Sequence, residues 1–262
     1  MKVMRWSLVL GVITVATQSF GVIIENFDSA TLDSQWMFRA PGFSGSTSGN
    51  LEPDPNIGRV INMPLPPNPN GGSGRVYEAS WSFKWDAPHN WVRLTTFNAT
   101  GTPNPRIDFS QKLYFQMWTN APIRVALGLR EVPVDGAPGS NGGTSGAIEW
   151  VSGFDLRTDG QVFDPGGQLY AENQWHQVQI NLQSIGLGTP QPGKVAGFTG
   201  NGILDSTGGY VLEHIAFTGV EGHSDYQVFL DNFAQSPTPE PMTMIGLGLG
   251  AAFLARKKKK RV

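Results

Sequence analysis

In the segment Lys112–Trp118, apolar residues alternate with Tyr114, Gln116 and Trp118. If Leu113 and its period-two partners face a core, Tyr114 and Trp118 point the other way, because successive strand side chains alternate. Large aromatics at a surface often mark binding sites, and their flat faces can stack on sugar rings. The alternative is that long loops cover this face. We predict four sugar-contacting residues, two on this segment and two on neighbouring strands: Trp118, Tyr114, Trp150 and Arg124.

The motifs of common catalytic sites are missing from the sequence. It has no Gly-x-Ser-x-Gly elbow, no phosphate-binding Gly loop with Lys-Ser/Thr and no His-Glu-x-x-His run, and it contains no Cys. Four acids crowd one region and leave a hydrolase or lyase pair open, although surface acids are the simpler interpretation: Glu149, Asp155, Asp159 and Asp164. We therefore predict a protein that is not an enzyme, with a glycan-active hydrolase or lyase as an alternative.

The segments that would position these residues have a period of two. Gly and Pro number 33 and 19 among 262 residues, which disfavours a helix bundle. Half-buried alternating strands need two layers to bury their apolar faces. We predict an all-β, two-layer antiparallel β-sandwich of jelly-roll type. The predicted strands are Arg75–Trp85, Lys112–Trp118, Ile123–Arg130, Ala147–Leu156, Gln177–Leu182, Val211–Thr218 and Tyr226–Leu230.

One apolar stripe and three connections complete this prediction. The stripe Tyr77/Trp81/Phe83/Trp85 is predicted to lie in the core. The long connections are rich in Gly, Pro, Asn and Ser, and we expect them to be loops: Ala40–Gly74, Pro133–Gly146 and Ser184–Gly209.

The first residues have the plan of a secretory signal peptide. Lys2 and Arg5 precede a short apolar run that ends in small residues, so we predict a signal helix over residues 1–21. Cleavage after Ser19 and after Gly21 both fit the pattern. The alternatives are an uncleaved anchor and a buried first strand.

The C-terminal residues have three parts in order. Pro239-Glu240-Pro241 is followed by the uncharged stretch 242–255 and a basic tail, 256–262. The uncharged stretch reaches about 21 Å as a helix, short of a hydrocarbon core of about 30 Å. The positive-inside rule leaves both basic ends in the cytoplasm and the domain between them outside. The predicted boundaries are a signal peptide 1–21, a β-sandwich domain 22–234, a linker 235–241, a short transmembrane helix 242–255 and a cytoplasmic tail 256–262.

This C-terminal pattern closely resembles the PEP-CTERM sorting signal. The resemblance implies that Pro239, Glu240 and Pro241 form the processing motif for an exosortase-type enzyme. It also implies a Gram-negative bacterium, a precursor transiently in the inner membrane, and a destination at the cell surface or in the extracellular matrix. The alternative is a plain C-terminal anchor.

The two ends of the domain carry a second resemblance. Glu25-Asn-Phe-Asp-Ser and Tyr226–Phe233 resemble the opening and closing strands of carbohydrate-binding-module and galactose-binding-like jelly rolls. Such folds often hold a structural calcium ion, and the resemblance places its ligands at Asp28, or Glu25, and Asp231. Oxygen-rich, Cys-free ligation suits that cation. Alternatively, Asp28 is a turn acceptor and Asp231 a solvated charge.

Charge narrows the class of partner. Without the two end segments, residues 22–236 keep 11 of the 19 Lys and Arg and 20 of the 21 Asp and Glu, a net charge of −9. Nucleic-acid binding needs a basic surface, so we exclude it. We expect an exported, non-catalytic protein that binds or organises extracellular polysaccharide. The alternative is a structural or adhesive matrix protein without a sugar site.

Overall fold

The computed structural model describes residues 22–64, 68, 74–87, 90–97, 103–132, 147–151 and 167–237. The predicted signal helix, the Pro239-Glu240-Pro241 motif, the short transmembrane helix and the basic tail lie outside these residues. None of the helices within them has the length and apolarity needed to cross a membrane. The predicted domain boundaries therefore stay predictions.

The described part of the chain is built from strands and three short 3₁₀ helices. The 3₁₀ helices are Pro41–Phe43, Ser48–Asn50 and Leu182–Ser184. The strands are β1 (Val22–Glu25), β2 (Leu51–Asn62), β3 (Arg75–Phe83), β4 (Trp91–Thr95), β5 (Arg106–Ile107), β6 (Gln111–Thr119), β7 (Ile123–Glu131), β8 (Ile148–Val151), β9 (Gln168–Tyr170), β10 (Gln174–Ile180), β11 (Val195–Gly197), β12 (Tyr210–Gly219) and β13 (Asp225–Pro237).

These strands form two antiparallel sheets. The first sheet has the order β10-β6-β13-β3-β2, and β1 pairs with β13. The second sheet has the order β11-β8-β7-β12-β4, with β5 on β12 and β9 on β7. The predicted two-layer antiparallel β-sandwich is confirmed.

The core lies between the two sheets. Trp81 of β3 stacks on Phe217 of β12 with ring centroids 5.5 Å apart, so side chains from both sheets meet face to face. Alternate residues of each strand enter this core, which is what a period of two requires. Tyr77, Trp81 and Phe83 are all buried, as predicted.

Three predictions about individual segments are wrong. One is the connection predicted over Ser184–Gly209, which contains the three-residue strand β11. The connection predicted over Pro133–Gly146 lies outside the described residues.

Trp85 is 94% exposed, because β3 ends at Phe83 and the alternation no longer directs later side chains. The connection predicted over Ala40–Gly74 contains the 12-residue strand β2. Its two prolines lie in an irregularity between Leu51 and Asn56 at the edge of the sheet, where a missing N–H donor is tolerated.

Candidate functional site

Trp118 lies on the outer face of the first sheet. Leu113, Phe115 and Met117 of β6 are buried in the core, so the alternation places Tyr114 and Trp118 on the opposite side. Both side chains are half-buried. The direction predicted for these two aromatics is therefore the observed one.

Two further aromatics flank Trp118 on the neighbouring strands. Phe229 of β13 stacks on it, with ring centroids 5.1 Å apart and an interplanar angle of 27°. Trp175 of β10 is its cross-strand partner and is half-buried. We call Trp175, Trp118 and Phe229 the aromatic ridge. It runs across three adjacent strands, perpendicular to their direction.

Polar groups continue the line of the aromatic ridge. Glu78 of β3 lies opposite Phe229 and accepts hydrogen bonds from Gln227 Nε2 at 2.7 Å and from Arg59 Nε at 3.0 Å. Arg59 also donates to Asp33 at 3.2 Å. The hydrogen bond with Glu78 raises the pKa of Arg59, which keeps the guanidinium charged.

Amide side chains lie beside the aromatic ridge on β6 and β10. Gln116 is the cross-strand partner of Gln177, and Tyr114 is the partner of Gln179. Gln177 and Gln179 are exposed. The outer face of the first sheet therefore combines apolar rings with planar hydrogen-bonding groups.

The other two predicted sugar contacts lie on the second sheet. Trp150 of β8 is fully buried, with its ring centroid 5.8 Å from that of Trp91 and 5.3 Å from that of Phe198. Arg124 is half-buried and its Nη1 donates to Gly167 O at 2.9 Å. The four predicted residues are thus divided between two sheets. Trp150 offers no ring face for stacking, because other aromatic rings pack against it.

The predicted calcium ligands are engaged with N–H donors. Glu25 accepts from Phe27 N at 2.6 Å and from Trp36 Nε1 at 2.8 Å. Asp28 accepts from the side chain of Asn26 at 2.9 Å.

Asp231 is the third predicted ligand and is fully buried. It accepts from Asn232 N at 2.8 Å and from Asn68 Nδ2 at 3.2 Å. Burial raises its pKa to about 6, and the charges of Asp28 and Glu25 act in the same direction. Within the described ranges, no group of three or more His, Cys, Asp or Glu is placed to hold a metal ion. The calcium site therefore stays a prediction.

Glu149 is the described member of the predicted acid group, since Asp155, Asp159 and Asp164 lie outside the described residues. Its two carboxylate oxygens accept hydrogen bonds from Asn201 N at 2.9 Å and Gly202 N at 3.0 Å. Burial raises its pKa to about 7. This carboxylate is buried and holds a loop backbone.

Sequence reasoning missed several residues of the outer face of the first sheet. Trp175 is not among the predicted sugar contacts, yet Val178 and Ile180 of the same strand face the core and leave Trp175 on the other side. The alternation in Gln177–Leu182 was the signal for this orientation. Glu78 and Arg59 gave no such signal, because their contact depends on the pairing of β2 with β3.

No family model and no curated protein matches this sequence. Among solved structures, the chain is similar to the family 11 carbohydrate-binding module from Clostridium thermocellum in complex with a beta-1,3-1,4-mixed-linked tetrasaccharide. The identity is 13% and the TM-score 0.41, over 82% of this chain and 94% of that one. An exo-beta-agarase is similar at 13% identity and a TM-score of 0.39, over 83% of this chain. This chain spans 25% of the agarase's length.

Proposed function

We propose that this protein is an exported, non-catalytic surface or matrix protein that binds extracellular polysaccharide through the outer face of its first sheet. The observation that carries the proposal is the half-buried Trp118, stacked on Phe229 and in line with Glu78, Gln227 and Arg59. Sugar rings present apolar faces and hydroxyl edges, so a binding surface needs rings and planar polar groups side by side.

The arrangement fits a linear glycan lying across the strands. Adjacent strands are about 4.8 Å apart, so the line from β10 to β2 is about 19 Å long. Trp175 and Trp118 would contact sugar rings at one end, and Glu78 and Arg59 would bind hydroxyls at the other. Trp118 shares one ring face with Phe229, so a ligand would contact the part of the half-buried ring that stays exposed.

The charges on this surface favour binding without catalysis. Both oxygens of Glu78 accept hydrogen bonds, one from Arg59 and one from Gln227. A general base or nucleophile needs a carboxylate aimed at the substrate, with a second acid at a set separation. Glu78 is instead held as part of a polar network that can exchange bonds with hydroxyl groups.

Binding by full-length protein to a panel of polysaccharides tests this proposal. The panel is screened by affinity electrophoresis, and the tightest ligand is then titrated by calorimetry. We expect Trp118→Ala to weaken that binding roughly tenfold or more, because a central aromatic contact is lost.

Trp85→Ala is the matched control, since Trp85 is 94% exposed and outside the aromatic ridge. It should bind like the unmodified protein. Equal binding by Trp118→Ala would place the sugar elsewhere. Failure to retain any polysaccharide would leave the structural or adhesive alternative.

Export and sorting belong to the same proposal and rest on the sequence of the two ends. We propose removal of residues 1–21 and processing at Pro239-Glu240-Pro241 by an exosortase-type enzyme. The intact mass of the surface form should correspond to a chain that ends near Pro241. Retention of residues 242–262 would instead indicate a plain anchor.

A further inference from the structure

The chain enters and leaves the described domain at one end of the sandwich. Val22 of β1 pairs with Gln235 of β13, so β1 begins where β13 ends. We call this end the entry pole. The opposite end, the far pole, carries Glu221 in the turn between β12 and β13. At about 3.3 Å per residue, β13 separates the two poles by about 40 Å.

A cleft with a volume of about 320 Å³ opens beside β1. All four residues of β1, from Val22 to Glu25, line one side of it. Thr96, Pro103 and Pro105 line another side, and they lie between β4 and β5 of the second sheet. The two sides of the cleft therefore come from different sheets.

Trp36 is a further wall of this cleft, and its position is fixed by polar contacts. Its φ of 46° is left-handed, which is unusual for a bulky residue. Trp36 Nε1 donates to Glu25 Oε2 at 2.8 Å, and Phe27 N donates to Glu25 Oε1 at 2.6 Å. Because the indole N–H and the carboxylate satisfy each other, the half-buried ring of Trp36 leaves mainly carbon for the cleft.

Two aliphatic side chains continue this lining to the surface. Val22 and Ile23 line the cleft and are each 64% exposed. Glu25 and Thr96 are the polar residues of the lining, and the rest of it is apolar. Contiguous exposed apolar surface of this kind marks an interaction site. We call the cleft with Val22 and Ile23 the apolar cleft.

The chain that follows β13 indicates what covers the apolar cleft. Residues 238–241 alone separate β13 from the uncharged stretch 242–255, for which a membrane location is predicted. An extended chain from Pro237 to Met242 reaches at most about 18 Å. This is less than half the length of the domain, so the entry pole stays near a lipid surface that holds this stretch. The step rests on the proposed membrane stretch.

The charges beside the apolar cleft suit a phospholipid headgroup. Arg106 follows Pro105 directly and is exposed, and Asp108 is exposed two residues later. A zwitterionic headgroup also carries one charge of each sign, and its phosphate can accept hydrogen bonds from a guanidinium. Neither sign of charge dominates this edge of the cleft.

We propose that the apolar cleft docks on the phospholipid surface that holds residues 242–255. Val22, Ile23 and Trp36 then lie at the boundary between headgroups and acyl chains, where aliphatic and indole groups are stable.

Docking through the entry pole leaves the aromatic ridge accessible. Asn120 N donates to Gln227 O at 3.1 Å, which places the end of β6 beside the start of β13, toward the far pole. Trp118 lies two residues before Asn120, on the outer face of the first sheet. The membrane and a polysaccharide therefore use different parts of the domain.

Fluorescence of the full-length chain in phosphatidylcholine vesicles tests the docking. The chain contains no Cys, so Pro103→Cys provides a single site for an environment-sensitive fluorophore. Pro103 is exposed and distant in sequence from both ends of the chain, so its label reports contact of the domain itself. We expect a blue shift of its emission. Lipids with a nitroxide near the headgroup should quench it roughly twofold or more, because docked apolar groups reach about 5–10 Å into this layer.

Two labelled controls show whether the contact is specific to the apolar cleft. Asp205→Cys carries the label at an exposed site beside the end of β7, where Asp205 N donates to Glu131 Oε1 at 2.8 Å. Glu221→Cys carries it at the far pole. The label at residue 205 should be quenched less than that at residue 103, and the label at residue 221 should not be quenched.

A double variant separates apolar docking from simple tethering. Val22→Ser with Ile23→Ser leaves the linker unchanged and alters two exposed side chains, so the melting temperature should change little. It should abolish the quenching at residue 103. Leu169→Ser with Leu187→Ser is the matched control, because these leucines are 47% and 52% exposed and lie outside the apolar cleft. It should leave the quenching intact.

The outcomes distinguish failure of the docking from failure of the proposed membrane stretch. A chain that does not sediment with the vesicles refutes the membrane stretch and, with it, the docking. Sedimentation without quenching at residue 103 overturns the docking alone, as does quenching that persists in the double serine variant. A blue shift without quenching, growing with the amount of protein per vesicle, would assign the apolar cleft to a second copy of the chain and overturn the lipid contact.

Discussion

The outer faces of the two sheets differ in how deeply their tryptophans are buried and in how their polar groups are paired. On the first sheet, Trp118 is half-buried beside Glu78, whose carboxylate is satisfied by Gln227 and Arg59. On the second sheet, Trp150 is fully buried beside His214, and both have an unpaired polar nitrogen. The indole nitrogen of Trp118 is also unpaired, so the contrast lies in the surroundings.

The comparison teaches that position on a strand does not decide the role of a side chain. Trp118 and Trp150 both point away from the core between the sheets. Aromatic rings pack over the second sheet, where Phe198 contacts both Trp91 and Trp150. One sandwich therefore has an outer face with half-buried aromatics and another whose tryptophans are fully covered.

Truncation of the two tryptophans should show the largest difference in stability between the two outer faces. We expect Trp150→Ala to lower the free energy of unfolding by about 3–5 kcal/mol, because it opens a cavity among buried rings. Trp118→Ala should cost about 1–2 kcal/mol, since its ring is half-buried and loses one stacked partner. Chemical denaturation of both variants checks the difference, and equal losses would contradict it.

Removing the charge of one carboxylate on each face should lower the free energy of unfolding by nearly as different amounts. Glu213→Gln leaves Arg130 as a buried, unneutralised cation, and we expect a loss of about 3–5 kcal/mol. Glu78→Gln should cost about 1 kcal/mol or less, because its partner Arg59 is exposed. Urea unfolding curves provide the measurement. A larger effect at Glu78 would mean that the ion pair of Glu78 with Arg59 stabilises the fold more than the buried pair of Glu213 with Arg130.

A single added methyl group tests the packing of His214 against Trp150 on the second sheet. Gly128→Ala would place Cβ against His214 and Trp150, and overpacking of this kind costs about 1–3 kcal/mol. Gly45→Ala is the control, because nothing lies within 4 Å of its Cβ. Thermal unfolding should separate the two variants, and identical melting temperatures would show that the rings move apart freely.

The smallest expected effect is a difference in pH dependence between the sheets. Burial raises the pKa of Glu149 from 4.5 to about 7 and that of Asp231 from 3.8 to about 6. A group whose pKa is raised by folding stabilises fully below its unfolded pKa, and this stability is lost as the pH rises through the folded value.

As the pH rises from about 5 to 8, the melting temperature of Glu149→Gln should therefore increase relative to that of the unmodified protein. Asp231→Asn should show the same gain, complete about one pH unit lower. Measuring the differences between proteins cancels the opposite contribution of His214, whose pKa is lowered by burial. A constant difference across this range would contradict the raised pKa values.

The sequence predicts the interior of this fold better than its surfaces. Alternation placed Tyr77, Trp81 and Phe83 in the core, because burial follows directly from strand periodicity. It placed Trp118 correctly on the outer face. It could not show that Trp150 is covered by Phe198, because that contact joins segments far apart in the chain.

The local sequence pattern does not predict edge strands or contacts between strands. The prolines of β2 are typical of loops, and only pairing with β3 shows that this segment is an edge strand. Similarly, the contact of His214 with Trp150 depends on the register of three neighbouring strands, β12, β7 and β8. No motif in the sequence brings these residues together.

The antiparallel pairing of β1 with β13 has a mechanical consequence. Val22 is the partner of Gln235, so the points at which the chain enters and leaves the domain are neighbours. A force that separates these two points would peel β1 away one hydrogen bond at a time, as a zipper opens. Breaking hydrogen bonds one after another needs less force than breaking them all at once. The domain therefore offers little resistance to tension applied between its two ends.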